Sequence, residues 1–222
     1  MPIDPTRVRA VLFDVDGTLR NTDDEIVASV WRALRFTPIA NKEHIARRLV
    51  MAMESPANAA YTMLDRVGLD APLHSFVSRL HRTQVGTMPK KFWLVPGVSG
   101  LVNELRSRYK LGIVTARDEA HANAFLFWAR LPVQFDAVAN AFTCEHTKPF
   151  PDPVIWCAKK LGLQPAECLL IGDSGVDMRA GKSAGAQTVG VLCGFGTRTE
   201  LERNGADAIL RTTPDLAKLL MV

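Results

Sequence analysis

Asp14 and Asp16 stand two residues apart in Phe13-Asp14-Val15-Asp16-Gly17-Thr18-Leu19, directly behind the apolar run RAVLF. Aspartate is depleted inside strands, and like charges this close raise each other's proton affinity. Two readings compete: a strand end running into an ordinary Asp-Gly turn, or a carboxylate pair held for chemistry. Other polar groups at the ends of apolar runs decide between them. Thr115 closes KLGIVT, Lys148-Pro149 follows the segment FDAVANAF, and Asp173 closes CLLIGD with Asp177 in the turn beyond it. Gathered in one crevice, these carboxylates would outnumber a single lysine, and burying such a surplus is costly unless it is neutralised. A hard divalent cation with oxygen ligands resolves it, and Mg²⁺ takes a few carboxylates plus waters and phosphate oxygens. The lysine and hydroxyl left over suit a phosphoryl group. The set predicts phosphoryl transfer.

The groups converge only if the elements carrying them run the same way. RAVLFDV, KLGIVTA, FDAVANAF, ECLLIGDS and AQTVGVL read as strands. Helical patterns separate them: PGVSGLVNELRSRY, DEAHANAFLFWAR, PDPVIWCAKKLGL opened by proline, and GVDMRAGKSAG. The tail from Thr197 supplies a helix, a short strand and a last helix. Such alternation implies a parallel sheet covered on both faces, a doubly wound α/β core. Parallel strands bring their carboxyl ends to one edge, where ligands bind in open sheets. Residues 20–91 break the alternation, since DDEIVASVWRALRF, NKEHIARRLVMAM, SPANAAYTMLDRVGL and APLHSFVSRLHRTQVGTM are all helical in character. That is too much for one crossover. The pattern predicts an α/β core over 1–19 and 92–222, with an inserted helical cap over 20–91 acting as a lid.

Composition narrows the class. The chain has 222 residues, of which 47% are hydrophobic and 23% charged, as in ordinary globular proteins. No apolar stretch reaches the roughly 18–20 residues that span a bilayer. MPIDPTRVRA shows no apolar signal core, so a cytoplasmic location is expected. Cys144, Cys157, Cys168 and Cys193 lack metal-site spacing and read as buried free thiols. The net charge of +4 is scattered rather than clustered, which argues against nucleic-acid or membrane partners and suits a small anionic substrate. No exposed apolar face can be assigned, so the pattern implies no oligomeric state.

The motifs resemble those of the haloacid dehalogenase superfamily, in the branch with a helical cap after the first strand: DVDGT, IVTAR, HTKPFPDP and IGDSGVD match its four motifs in order and spacing. The segment AGAQTVGVLCGFGTRTELERNGADAIL is further similar to phosphoglycolate-phosphatase-like members. The resemblance implies an Mg²⁺-dependent phosphatase acting on a small phosphomonoester, phosphoglycolate-like or a sugar phosphate. Asp14 would be the nucleophile and form an aspartyl-phosphate, and Asp16 the general acid and base. Thr115 with the neighbouring amide of Ala116 and the side chain of Lys148 would bind the phosphoryl group. Asp14, the Asp16 carbonyl and Asp173 would hold Mg²⁺, with Asp177 a ligand through water or an orienter. Thr18 could tie the turn by a hydrogen bond.

The pattern also departs from the family. Ala116-Arg117 stands where many relatives carry Asn after the threonine, so Arg117 could reach substrate. In the cap, Arg47 and Arg48 are candidates for binding a second anion. A sugar-phosphate mutase would use the same aspartates. A dehalogenase would not need Asp16 and Asp173, a phosphonate hydrolase would need a cap lysine, and a non-catalytic phosphate-binding module would not need every catalytic position filled. The tryptophans Trp31, Trp93, Trp128 and Trp156 fall at helical spacings and read as core.

Overall fold

The computed structural model describes residues 3–21, 92–131 and 134–220. The chain divides into two compact units, Met1–Thr22 with Lys91–Val222, and Asp23–Lys90. All the described residues belong to the first. The expected helical cap, with Arg47, Arg48 and Trp31, lies outside the described residues.

The first unit alternates as its sequence pattern demands. Strand β1 is Ala10–Phe13, helix α1 Val98–Arg106, β2 Lys110–Val114, α2 Glu119–Trp128 and β3 Ala137–Ala139. Then come α3 (Asp152–Lys160), β4 (Cys168–Gly172), α4 (Gly175–Ala184) and β5 (Gln187–Val191). The tail adds α5 (Arg198–Arg203), β6 (Ala208–Leu210) and α6 (Leu216–Leu220). The six strands form one sheet in the order β3-β2-β1-β4-β5-β6. Every neighbouring pair is parallel. This is the doubly wound α/β core that the alternation predicts.

Strand period sorts the core into two layers. Val11 and Phe13 face one side with Leu111, Ile113, Leu169 and Ile171, against α1, α2 and α6. Ala10 and Leu12 face the other with Val114 and Leu170, against Val154, Cys157 and Ala158 of α3 and Ala180 of α4. Strands buried on both faces must be apolar throughout, which is why the runs that form them do not alternate with polar residues. At the point where the chain leaves the core, Arg20 bridges both Asp16 and Leu94. The Asn21 amide donates to the Trp93 carbonyl at 2.7 Å. Those pairings tie Arg20 and Asn21 to Leu94 and Trp93.

Two tryptophans expected in the core are not there. Trp93 is 46% and Trp128 38% exposed, whereas Trp156 packs against the second layer. Helical spacing fixes which residues share a face, but not whether another element covers it. Among the described residues, no helix is long and apolar enough to cross a membrane.

Candidate active site

Register decides which side chains meet. Phe13 lies beside Ile113 on one flank and Ile171 on the other. The residues that follow, Asp14, Thr115 and Asp173, therefore leave three adjacent strands at the same edge. The Asp14 amide continues the ladder to the Ile171 carbonyl at 2.9 Å, and the Thr115 amide reaches Ala139 at 2.9 Å. Ser174 caps α4 and Asp177 closes the capping box, its carboxylate accepting from the Ser174 amide and hydroxyl. Asp177 is thus a helix-start carboxylate and a site residue at once.

Lys148 joins the buried carboxylates. Its Nζ donates to Asp14 Oδ1 at 2.6 Å and to Asp177 Oδ1 at 2.6 Å, all three side chains being buried. One oxygen each of Asp14, Asp173 and Asp177 lie within 4.8 Å of one another. Burial, together with the nearby Asp177 and Asp16 charges, pushes Asp14 up to about 7 against the pull of Lys148. Burial and the neighbouring carboxylates hold Asp173 well above the ordinary range. Lys148 is opposed by burial, but Asp14 and Asp177 outweigh that and raise its proton affinity. One ammonium facing three carboxylates leaves a negative surplus, and the donors are hard oxygens. This set fits a hard divalent cation.

Backbone makes room for that crowding. Gly17 has φ +75°, and a Cβ there would lie 2.2 Å from Asp173 Oδ2. A Cβ on Gly194 would lie 2.1 Å from the same oxygen. The Phe195 amide between two glycines donates to Asp173 Oδ2 at 2.8 Å. Sequence reading missed this Gly194-Phe195-Gly196 wall, although a glycine pair directly behind an apolar strand was the available signal. Thr18 ties the turn through its main chain and not its side chain: the amides of Thr18, Leu19 and Arg20 donate to the Val15 carbonyl at 3.4, 3.0 and 2.8 Å, while Thr18 Oγ1 is buried without a partner among the described residues.

Asp16 belongs to a second group. Arg117 forks onto it, Nε to Oδ2 at 2.5 Å and Nη2 to Oδ1 at 2.9 Å. Arg20 adds Nη1 to Oδ1 at 3.2 Å. Arg20 was not singled out from sequence, since nothing local ties a residue at the border of an insertion to the site. Thr115 is linked to this group because its Oγ1 accepts from the Arg117 amide at 3.2 Å, which leaves its own hydrogen for another acceptor. Ala116 is exposed beside it. Two carboxylates two residues apart thus sit in different surroundings, one against lysine and two further aspartates, the other against guanidinium.

The model of the haloacid dehalogenase-like hydrolases matches residues 11–191, from the first strand through the fifth. The chain belongs to this family. Among its relatives, the pyrophosphatase PpaX of Anoxybacillus flavithermus is 28% identical over 216 residues, covering 97% of this chain and 98% of that protein. Among solved structures, a hydrolase from Pseudomonas syringae is 27% identical with a TM-score of 0.64, covering 96% and 98% of the two chains. A haloacid dehalogenase-like hydrolase from Streptococcus pneumoniae, 21% identical over 96% of this chain and 99% of that one, has a TM-score of 0.67 and shares the fold. Membership in the haloacid dehalogenase-like hydrolases makes the chain an enzyme of hydrolytic type. The segments DVDGT, IVTAR, HTKPFPDP and IGDSGVD all lie within the matched residues.

Proposed function

We propose that the protein is an Mg²⁺-dependent phosphatase that hydrolyses a small phosphorylated metabolite through an aspartyl-phosphate on Asp14. The observation that carries this reading is the Lys148 ammonium held between Asp14 and Asp177 beside Asp173. Such an arrangement serves an anionic substrate and has little use otherwise. Asp14, the Asp16 carbonyl and Asp173 would hold the cation, with Asp177 bound through water or orienting its neighbours. When bound, the cation offsets the repulsion between carboxylate and phosphate, about 4 kcal/mol for unit charges 4 Å apart at an effective dielectric near 20.

The chain's own residues supply the rest. An Asp14 carboxylate oxygen attacks phosphorus as the ester oxygen departs, and Asp16 gives that oxygen its proton. Water then attacks the aspartyl-phosphate, Asp16 takes the water's proton, and the Asp14–phosphorus bond breaks to release phosphate. Lys148 and Thr115, with the Ala116 amide, bind phosphoryl oxygens. Residues 20–91 are proposed as a helical cap whose Arg47 and Arg48 take part in substrate choice.

A phosphate-release screen over phosphorylated metabolites tests this. Turnover of at least one phosphomonoester or phosphoanhydride, lost on chelation with EDTA and restored by Mg²⁺, is the expected result. Turnover that survives thorough chelation would remove the metal from the reading, and an inert protein would remove the reading itself.

A further inference from the structure

We propose that Arg117 determines specificity in this site by selecting phosphoryl donors whose departing fragment carries an oxyanion of its own. The proposal rests on the phosphatase reading above and names the substrate class it serves. A residue that hands a proton to the departing oxygen must have a carboxylate oxygen open to it within hydrogen-bond reach. Asp16 meets Arg117 through both of its oxygens, Oδ2 with Nε at 2.5 Å and Oδ1 with Nη2 at 2.9 Å. This is the two-point fork that guanidinium makes with carboxylate and phosphate alike. The fork has to open in each turnover.

Arg117 and not Arg20 is the arm that opens. Arg20 is 4% exposed, its guanidinium lies 4.8 Å over the Phe92 ring, and its main chain bridges Asp16 and Leu94. The Arg117 side chain is 30% exposed and sits on the loop after β2. Its main chain is pinned on both sides, the amide to Thr115 Oγ1 at 3.2 Å and the carbonyl to the Ala141 amide at 2.9 Å. Its side chain is the more exposed of the two, and its base stays fixed beside the phosphoryl-binding threonine. Arg20 keeps Asp16 company when the fork opens.

A neutral departing fragment offers the guanidinium nothing in exchange for Asp16. A fragment with a phosphate or carboxylate offers two oxygens to the same guanidinium fork. The guanidinium then moves from Asp16 to the ligand, and the exchange both binds the fragment and opens Asp16 to its oxygen. No covalent bond changes in this step; one ion pair replaces another. Phosphoanhydrides and carboxylate-bearing phosphomonoesters share the required oxyanion, and glycerol 3-phosphate, whose departing alcohol is neutral, lacks it.

The test measures kcat and KM for pyrophosphate, 2-phosphoglycolate and glycerol 3-phosphate with wild type, Arg117→Gln and Arg117→Lys. Wild type should favour one or both anionic-fragment donors, and which one it favours separates the phosphate from the carboxylate as the natural source of the oxyanion. Arg117→Gln should lower kcat/KM for that donor about ten- to a hundredfold, chiefly through KM, as expected when a site loses the group built to bind a substrate's polar end. It should raise kcat for glycerol 3-phosphate, because the fork on Asp16 is gone. Arg117→Lys, with the charge but not the fork, should fall between. An equal fall on all three substrates is what a merely structural role gives, and it overturns the proposal while leaving the phosphatase reading in place. A wild type inert toward all three but active on another phosphomonoester with a neutral departing fragment overturns the proposal alone, and one inert across the whole screen overturns both.

Discussion

The middle of the sheet and its carboxyl edge are one residue apart along β1, yet they obey opposite rules. Phe13 is buried among Leu111, Ile113, Leu169 and Ile171, and every group it touches gains from leaving water. Asp14, the next residue, is buried against Asp173, Asp177 and Lys148, where burial raises its proton affinity to about 7. The first environment stabilises the fold and does no chemistry. The second costs stability, and the sheet around it holds that cost in place. A site of this kind is found where an over-determined core ends.

Substitutions on either side of that border should separate the two roles. The largest effect is expected from Asp14→Asn, which should cut turnover more than about a thousandfold, as loss of a nucleophile does, while circular dichroism stays native. Undiminished turnover would show that the nucleophile lies elsewhere. Lys148→Met should follow, because it strips the ammonium from buried Asp14 and Asp177. Without metal, denaturant titration should show a loss of about 3–5 kcal/mol, the usual consequence of leaving a buried charge unpaired. Leu170→Ala, inside the second layer of the core, should lose about 2–5 kcal/mol in the same titration. The kcat of the molecules that remain folded should be preserved, in contrast to Asp14→Asn.

The smallest effect is at the buried thiols. Burial pushes Cys157 and Cys168 up to about 12. Their folded values exceed the unfolded 9.0, so the unfolded chain ionises first, and stability should fall as pH rises from about 9 toward 12. Iodoacetamide at pH 8.5, read by mass, should spare both thiols in the native protein and modify them in denaturant. Rapid native labelling would contradict their placement in the core.

Much of the core was legible. The apolar runs ending at Phe13, Val114 and Ile171 had to be strands because nothing shorter than a two-faced burial explains their lack of polar residues. Their alternation with helices made the sheet parallel, and a parallel sheet puts Asp14, Thr115 and Asp173 at one edge. What stayed hidden depends on contacts across long stretches of chain. Arg117 meets Asp16 across 101 positions, and the amide of Phe195 meets Asp173 across 22. Neither has a local signature. Trp93 and Trp128 show the same limit from the other side, since their spacing is right for a core and yet both are partly exposed.

By itself the sequence determined the strand and helix pattern and the placing of the aspartates, threonine and lysine at the ends of apolar runs, because periodicity and charge are local properties. Only the tertiary structure decided the strand order, the glycine wall around Asp173, and the division of two neighbouring aspartates between a lysine and a pair of arginines. Those depend on which distant side chains arrive at the same place, and that is settled by packing.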